Sequence, residues 1–528
     1  MYTTHYVLLP TATMESMQER MRYMTVSNFL YEIMFNPFST SAKDENTEPS
    51  PSKTRRKAQD DSCQIMVDNS DNILKVIKRL YFDKEMCDVY LKVGNKEYGA
   101  HKLILCSSSD VFQVMLMKPE WTEWHESRVE LQELPICVPV FHLFLEYFYT
   151  GNILITHTNV MPILALADKY IVRSLTRTCL SYMCQHVPHA SSHNQLFAWL
   201  QYSTACCHTK VFETCQNYIK WNFESVANTP DFSNFDVDMF IRILQQNDIV
   251  VHNEMVLYNC VVRWLDLQKI KIQQQSSLDG EINEEYKMLI EKIMKHVRFP
   301  MMTPRELADL LLSPVIKQHK EFFVDRMAIG MKYHSGMTNQ IQSNNSDEGC
   351  FLFTPRLYTC DSCSALLTIE NFHDIPNYHT STFVFSSHLS AAEYESHKVN
   401  EWLVDLYPKG VWFKKCFLIV WQGTLEVPQE TLSTVRLSLT CRELSESEMR
   451  VKVSVLTYGM QGGIEHVMEV KEKIHHFTGQ DKVVNIDDLI PFEELNPSAS
   501  LQGRHETSYL VGPNRDKLKL NLVIAPIR

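Results

Sequence analysis

The sequence predicts a multidomain protein in which an α/β domain is followed by an all-α domain and a C-terminal all-β sandwich. Short strand patterns lie among helical segments between residues 68 and 187, whereas residues 190–334 show helical periodicity almost throughout. Beyond a polar linker at 335–350, residues 351–528 contain segments in which apolar and polar side chains alternate. The 528-residue chain is 45% hydrophobic, so it can build a core in each region.

The N-terminal region, residues 1–67, shows little periodicity. Its stretch 39–62 is rich in Ser, Thr, Asp, Glu and Lys, a composition that buries too little apolar surface to fold. We therefore expect residues 1–67 to be mostly disordered. The basic run 53–57 offers a nuclear import signal, and its alternative is an ordinary basic run in a disordered tail.

The α/β region begins with a helix expected over 71–82, where apolar side chains recur at helical spacing. The residues at this spacing are Ile73, Leu74, Ile77, Leu80 and Tyr81, and one stripe is formed by Leu74, Ile77, Leu80 and Tyr81. Val89, Leu91 and Val93 then alternate with polar residues as in a strand, and a second short strand follows a turn. Further helices are expected at 102–117, 138–149, 159–170 and 172–186.

The all-α and all-β regions differ in the period of their apolar residues. One helical stripe runs through 255–267, and helices of this length separated by short breaks indicate stacked helical hairpins. In the C-terminal region, 435–441, 451–455 and 518–524 carry strand patterns. Several such strands joined by turns favour a β-sandwich.

Residues 87–184 resemble a BTB/POZ domain. The matching segments follow one another in the order typical of that family: 87–89, 91–94, 100–105, 107–109, 126–127, 129–131, 147–151 and 167–170. The helical region resembles a BACK domain at 247–250, Glu254, Trp264 and 297–302. The last region resembles a MATH/TRAF-like sandwich at 402–404, 407–411 and 509–511.

This resemblance implies a dimeric protein-interaction adaptor rather than an enzyme. BTB–BACK proteins often bring client proteins to cullin-based ubiquitin ligases, others are transcriptional cofactors, and a few are secreted. The expected partners are therefore a second copy of the chain, a cullin scaffold protein and an unknown client protein. The alternatives are a non-ligase nuclear or cytoplasmic scaffold or corepressor partner, and a secreted BTB–BACK scaffold.

The resemblance also implies where the dimer interface lies. In BTB domains the helix that corresponds to 71–82 packs across a twofold axis. A self-complementary apolar stripe suits such a contact, so we expect Leu74, Ile77, Leu80 and Tyr81 to form the interface. The alternative is that these side chains pack only within their own domain.

Two residue pairs match partner-binding positions of the family. Trp124 and Glu126 match the hydrophobic-x-Glu motif of the cullin contact, where an apolar anchor fills a pocket beside a charge pair. Their alternative is a surface loop in which Trp121 and Trp124 cover the core. Asp88 and Lys102 match the charged pocket of repressor-type BTB domains, and their alternative is a buried ion pair or other contacts that satisfy their charges.

No catalytic, cofactor or metal site is expected. The sequence contains no phosphate-binding loop, no Gly-rich dinucleotide fingerprint and no nucleophile elbow. Cys360 and Cys363 have zinc-like spacing, but no second pair follows, and structural zinc needs four ligands. The fifteen cysteines are odd in number and mostly lie in apolar segments, so we expect free thiols.

Charge and hydropathy restrict the partners and the compartment. The net charge of −12 disfavours direct nucleic-acid binding, which depends on Lys and Arg at phosphates. No apolar run approaches the ~20 residues of a membrane helix, and the N-terminus lacks a signal-peptide pattern. We therefore expect a cytoplasmic protein that binds no membrane, with nuclear or secreted locations as alternatives.

Overall fold

The structure is a computed structural model that describes residues 68–275, 279–336, 351–388, 398–412, 419–420, 423–424, 432–443, 448–497 and 507–527. The expectations for residues 1–67 and for most of the linker lie outside the described residues. Within the described part, no helix combines the length and apolar character needed to cross a membrane.

The α/β region has helix α1 followed by a small sheet. Its elements are α1 (Ser70–Asp83), β1 (Val89–Val93), β2 (Lys96–Ala100) and β3 (Arg128–Leu131). The strand order is β2-β1-β3, with β1 antiparallel to β2 and parallel to β3. Val89, Leu91 and Val93 are fully buried, so the alternating pattern marks the strand face that covers the core.

Six helices complete this region: α2 (Lys102–Ser108), α3 (Asp110–Met117), α4 (Thr122–His125), α5 (Phe141–Thr150), α6 (Val160–Lys169) and α7 (Arg173–Gln185), with a 3-10 turn at Val138–Val140. The single helix expected at 102–117 is wrong, because the helix is interrupted at Ser109 and two shorter helices form. The extended backbone of Ser109 ends α2, and its hydroxyl accepts the N–H of Phe112 at 3.1 Å and so caps α3.

The all-α region packs against the first region in one continuous apolar core. Its helices are α8 (Val187–Ser192), α9 (Leu196–Ala205), α10 (Thr209–Trp221), α11 (Phe223–Ala227), α12 (Val237–Leu244), α13 (Glu254–Gln275), α14 (Asp279–Met294), α15 (Pro304–Leu310), α16 (Pro314–Gln318) and α17 (Lys320–His334), with 3-10 turns at Pro230–Asn234 and Phe299–Met301. A two-residue strand that the sequence did not predict, β4 (Val250–Val251), pairs in parallel with β5 (Leu357–Tyr358).

The C-terminal region is a sandwich of two antiparallel sheets. Its elements are β6 (Ser364–Ile369), β7 (Ser381–His388), β8 (Val399–Tyr407), β9 (Ile419–Val420), β10 (Gly423–Thr424), β11 (Arg436–Glu443), β12 (Glu448–Gln461), β13 (Ile464–Thr478), β14 (Val483–Ile486), α18 (Phe492–Leu495), β15 (Leu510–Val511) and β16 (Lys517–Pro526), with a 3-10 turn at Phe372–Asp374.

One sheet has the order β14-β11-β8-β7, and the other has the order β13-β12-β16-β15 with β6 also paired to β16. The apolar faces of both sheets meet in one core, where the ring of Trp402 lies 5.2 Å from that of Phe477. The expected fold class, an α/β, then an all-α, then an all-β sandwich domain, is confirmed.

Candidate protein-interaction surfaces

Helix α1 carries apolar side chains that its own domain covers only in part. Ile77, Leu80 and Tyr81 are half-buried, and the Tyr81 hydroxyl donates to the carbonyl oxygen of His142 at 3.2 Å. Leu74, the fourth residue of the predicted interface, is 48% exposed. The predicted stripe therefore combines an inner part that packs on its own domain with an outer part that does not.

The outer part of the stripe is larger than the sequence analysis proposed. Ile73 is 62% exposed and Val76 is also exposed. Successive helical residues are rotated by about 100°, so Ile73 falls within the arc that holds Leu74, Ile77 and Leu80, and Val76 lies about 40° beyond Leu80. We call Ile73, Leu74 and Val76 the α1 apolar face. Ile73 was already part of the helical spacing read from the sequence, whereas Val76 was not.

The other two predicted pairs meet at one surface. The Lys102 ammonium lies 3.3 Å from the carbonyl oxygen of Trp124 and 5.7 Å from the centre of its indole ring, within cation–π range. Asp88 accepts the backbone N–H of Lys102 at 2.7 Å. Glu126 directly follows α4 and is exposed. We call Asp88, Lys102, Trp124 and Glu126 the Trp124 patch.

The alternatives for these residues can be compared with the geometry. Trp124 is 37% exposed, whereas Trp121 is the tryptophan that packs against the domain core. For Asp88 and Lys102 the buried ion pair is wrong, because Asp88 is exposed, but contacts that satisfy both charges are present, with the backbone N–H of Lys102 and the carbonyl oxygen of Trp124. Asp88 therefore stabilises the first turn of α2, where N–H groups lack helical partners.

A buried pair of side chains holds the start of α2 in place. The hydroxyl oxygen of Tyr149 accepts the backbone N–H of His101 at 2.9 Å and lies 2.9 Å from Nδ1 of its ring. Burial raises the pKa of Tyr149, so the hydroxyl stays neutral and can donate as well as accept. The Tyr81 ring of α1 lies 5.2 Å from the Tyr149 ring. Tyr149 therefore contacts α1 and also, through His101, holds the start of α2, which carries Lys102 of the Trp124 patch.

Charged side chains are also buried where the all-α region meets β5, the strand that precedes the sandwich. The Glu254 carboxylate accepts the backbone N–H of Arg298 at 2.8 Å, Arg356 Nε at 3.1 Å and the Tyr358 hydroxyl at 2.7 Å. We call Glu254, Arg298, Arg356 and Tyr358 the buried junction. All four side chains are buried.

Both guanidinium groups of the buried junction also bind main-chain carbonyls. Arg298 donates to Thr354 O at 2.6 Å and Gln246 O at 2.9 Å, and Arg356 donates to Gln246 O at 2.7 Å. Burial, together with the nearby charge of Arg356, lowers the pKa of Arg298 to about 10. Sequence reasoning missed Arg356, whose only local signal is a lone cation in the mostly apolar run 351–358.

The sandwich also contacts α10 directly. The side-chain amide of Asn222 accepts the N–H of Val467 at 2.8 Å and donates to its carbonyl at 3.1 Å. A small apolar cluster beside this pair contains Val250, Leu357, Leu456, Val467 and Val523. Main-chain pairing, apolar packing and buried charges therefore join the all-α region to the sandwich.

Among the described residues, Asp168, Cys206 and His208 could bring three ligand atoms within 4.8 Å of one another. The Asp168 carboxylate already accepts the Tyr202 hydroxyl at 2.8 Å and lies 2.8 Å from His208 Nε2. Three ligands fall short of the four that structural zinc takes. The cluster is accounted for by hydrogen bonds that tie α6 to the α9–α10 turn.

Comparison with known families agrees with this architecture. Family models match residues 78–187 as a BTB/POZ domain, 196–278 as BTB And C-terminal Kelch, and 353–528 as a BTBD17 TRAF domain. The chain is therefore a BTB–BACK protein with a C-terminal TRAF domain. This combination of domains supports a role as a protein-interaction scaffold. The resemblance drawn from the sequence is confirmed.

Among curated proteins, the chain is similar to BTB/POZ domain-containing protein 17. The Xenopus laevis protein is 24% identical over 66% of this chain and 70% of its own length, and the Homo sapiens protein is 24% identical over 58% and 60%. Galectin-3-binding protein of Bos taurus is 22% identical over 60% of this chain and 54% of its own length. The solved BTB domain of zebrafish PATZ1 is 21% identical, with a TM-score of 0.20, and covers 22% of this chain and 97% of its own.

Proposed function

We propose that this protein is a non-enzymatic homodimeric adaptor that recruits client proteins to a cullin-based ubiquitin ligase. The observation that carries the proposal is Trp124, a large aromatic side chain held partly exposed on a BTB domain, with the exposed Glu126 two residues further along the chain. Aromatic anchors of this kind contribute disproportionately to protein interfaces.

The dimer step rests on the α1 apolar face. Apolar side chains exposed on one helical arc suit an isologous contact, in which the same residues of two copies cover one another. Burying each large side chain contributes roughly 1.5–3 kcal/mol, so even this small set supports association. Leu74, Ile77, Leu80 and Tyr81 remain the proposed interface, with Ile73 and Val76 added to its outer part.

In the cullin step, the Trp124 ring would fill an apolar pocket and Glu126 would pair with a basic side chain of the partner. The Lys102 ammonium lies over the indole ring, and Asp88 fixes the turn that carries Lys102. The charged-pocket role of Asp88 and Lys102 thereby becomes part of the same proposed contact.

Client binding is assigned to the sandwich. Among the described strands, β7 is an edge strand of the sheet β14-β11-β8-β7, and its Val384 side chain is exposed. An extended client peptide could add to such an edge through main-chain hydrogen bonds. Proximity labelling with wild type and Val384→Lys, with Val483→Lys on the opposite edge strand β14 as the control, should show clients that depend on β7.

Isothermal titration of the full chain with a purified cullin N-terminal region tests the ligase step. We expect binding at micromolar concentrations, with two cullin regions per dimer. The absence of measurable heat at tens of micromolar, with light scattering still giving a dimer, would reject the cullin step and retain the scaffold.

The second candidate is a scaffold with no ligase role, inside the cell or secreted. The likeness to galectin-3-binding protein over more than half of the chain favours it. Thiol counting by mass spectrometry on native protein separates the locations. Two or more disulfides that link distant cysteines would support the secreted form, because such bonds persist in oxidising compartments.

A further inference from the structure

Cys360 and Cys363 form a close thiol pair in the turn between β5 and β6. Their Sγ atoms are 3.1 Å apart. The backbone N–H groups of Cys363 and Ser364 both donate to the carbonyl oxygen of Cys360, at 3.1 and 3.0 Å, which folds the turn so that the thiols meet. Both cysteines are half-buried, while Asp361 and Ser362 between them are exposed, so reagents can reach the turn.

The two thiols differ in acidity. The Sγ atoms of Cys360 and Cys363 share a hydrogen bond, and Cys363 Sγ also lies 3.3 Å from the carbonyl oxygen of Tyr358. The Ser362 hydroxyl lies 3.1 Å from Cys360 Sγ. These contacts outweigh the opposing effect of burial and lower the pKa of Cys360 to about 6. The same hydrogen bond, together with burial, raises the pKa of Cys363. The contacts in the turn therefore favour the thiolate form at Cys360 and the thiol form at Cys363.

The backbone of the turn is fixed from both sides. The N–H of His388 donates to Ser362 O at 2.7 Å, and the N–H of Ile524 donates to Cys363 O at 2.9 Å. A disulfide needs its sulfur atoms about 2.05 Å apart, a further approach of about 1 Å that side-chain rotation can supply. Because these hydrogen bonds involve backbone atoms alone, they can persist when the sulfur atoms join.

We propose that Cys360 and Cys363 are a reversible redox pair that exchanges with low-molecular-weight disulfides such as glutathione disulfide. The Cys360 thiolate attacks one sulfur of the disulfide, whose S–S bond breaks, and the departing thiolate takes up a proton. Cys363 then loses its proton to solvent and attacks the Cys360 sulfur, and the second glutathione leaves. Two protein thiols are oxidised, and one disulfide is reduced to two thiols.

The test uses the full chain equilibrated in glutathione buffers of stepwise increasing oxidised fraction, then quenched with acid and alkylated. Trypsin should release both cysteines in one peptide, 357–398, because no Lys or Arg lies between Arg356 and Lys398. We expect this peptide to lose two hydrogen masses and both alkylation sites as the buffer becomes oxidising, and to recover them on reduction. Unalkylated Cys360 should also react about tenfold faster at pH 7 than N-acetylcysteine.

The variants separate the two roles. Cys363→Ser should accumulate glutathione on Cys360, because the resolving thiol is missing, whereas Cys360→Ser should leave Cys363 largely unmodified. The matched control, Cys206→Ser with Cys207→Ser, removes two exposed thiols and should leave the oxidation of peptide 357–398 unchanged.

Two outcomes would overturn the proposal. In the first, both thiols stay alkylatable at the most oxidising step. In the second, both thiols resist alkylation without any mass loss until a chelator is added, which would mean that the pair binds a metal instead.

Discussion

The α1 apolar face and the buried junction use their side chains in opposite ways. On α1, Ile73 and Leu74 are apolar yet exposed, whereas at the buried junction Glu254, Arg298 and Arg356 are charged yet buried. Buried charges are tolerated when they are paired and hydrogen-bonded, as Glu254 and Arg356 are. A clustered apolar surface costs free energy until a partner covers it.

The difference indicates which contacts are complete within one chain. The Glu254–Arg356 ion pair of the buried junction forms within one chain, so it holds the sandwich against the all-α region without a second molecule. The α1 apolar face is not covered by its own domain, so a second molecule that covered it would lower the free energy of the system. The variants below test this contrast by exchanging the character of each surface.

The largest effect is expected from replacing the apolar face with charge. Ile73→Asp combined with Leu74→Asp would place four carboxylates in a symmetric interface, two from each copy. We expect the dimer dissociation constant to rise at least about thousandfold, since each lost side chain forfeits about 1.5 kcal/mol or more. Light scattering against concentration measures it.

A matched control is Leu312→Asp, which charges an exposed leucine of the BACK region and should leave the dimer intact. Ile77 and Leu80 are less suitable targets, because they also pack on their own domain. A wild-type chain that is monomeric at micromolar concentration would contradict the dimer proposal.

Removing one charge from the buried junction should cost nearly as much. Glu254→Gln leaves Arg356 buried without its counter-charge, and breaking such a pair costs about 3–5 kcal/mol of unfolding free energy. Urea unfolding followed by circular dichroism measures it. The control is Glu401→Gln, which breaks the exposed pair with Arg442 and should cost less than about 1 kcal/mol. Equal losses in the two variants would mean that the junction stabilises no more than a surface pair.

The Trp124 patch is intermediate between the exposed α1 apolar face and the buried junction, because the Trp124 ring contacts Lys102 and is also partly exposed. Trp124→Ala should weaken cullin binding at least about thirtyfold, which corresponds to about 2 kcal/mol for a central aromatic anchor. Glu126→Ala should weaken it less if its partner charge stays solvated. Calorimetric titration gives both values.

Trp412→Ala is the control for this titration, because it removes an exposed tryptophan of the sandwich. Its affinity for cullin should match that of wild type. If Trp124→Ala and Trp412→Ala bind cullin equally well, Trp124 is not the anchor.

Acid should weaken the region around the buried junction. Burial, with help from nearby cations, lowers the pKa of His296 to about 4, and neither ring nitrogen has a hydrogen-bond partner among the described residues. Its pKa in the unfolded chain is about 6.5, so below that value the unfolded state binds more protons and folding loses stability. Between pH 7 and pH 5 this histidine should cost about 2 kcal/mol.

His296→Phe should remove that part of the pH dependence, because a phenylalanine ring can pack on Phe351 without taking up a proton. His476→Phe, at an exposed position, should retain it. Urea midpoints at pH 7 and pH 5 compare the three proteins. An unchanged slope in His296→Phe would assign the acid sensitivity to other groups.

Sequence patterns predicted those features that depend on local period. The alternation of Val89, Leu91 and Val93 marked the buried strand face, and the helical spacing of Leu74 and Ile77 marked α1. Periodicity placed Ile73 on this helix, but it does not show how far the domain covers each side chain, so Ile73 was left out of the predicted interface.

Contacts between distant segments could not be predicted from local pattern. Arg356 pairs with Glu254 across 102 positions, and no periodicity links them. Lys102 and Trp124 were each matched by a family motif, but their meeting depends on the path of the chain through β3 and α4. Ser109 broke an expected helix because its hydroxyl bonds to the carbonyl of Tyr170, which is also distant in sequence.

The smallest effect is expected at Asp88, and it separates the two roles proposed for that residue. Asp88→Ala removes the acceptor for the Lys102 N–H and should cost about 1 kcal/mol of stability, as for other lost helix caps. Asp88→Asn keeps an oxygen acceptor and should unfold within about 0.5 kcal/mol of wild type, because its carbonyl can still accept that N–H. Thermal and urea unfolding measure these differences, and titration with cullin measures binding. We expect Asn to restore binding as well as stability, since Asp88 acts on Trp124 through the position of Lys102. Loss of binding in Asp88→Asn at wild-type stability would instead mean that the carboxylate charge itself contacts the partner.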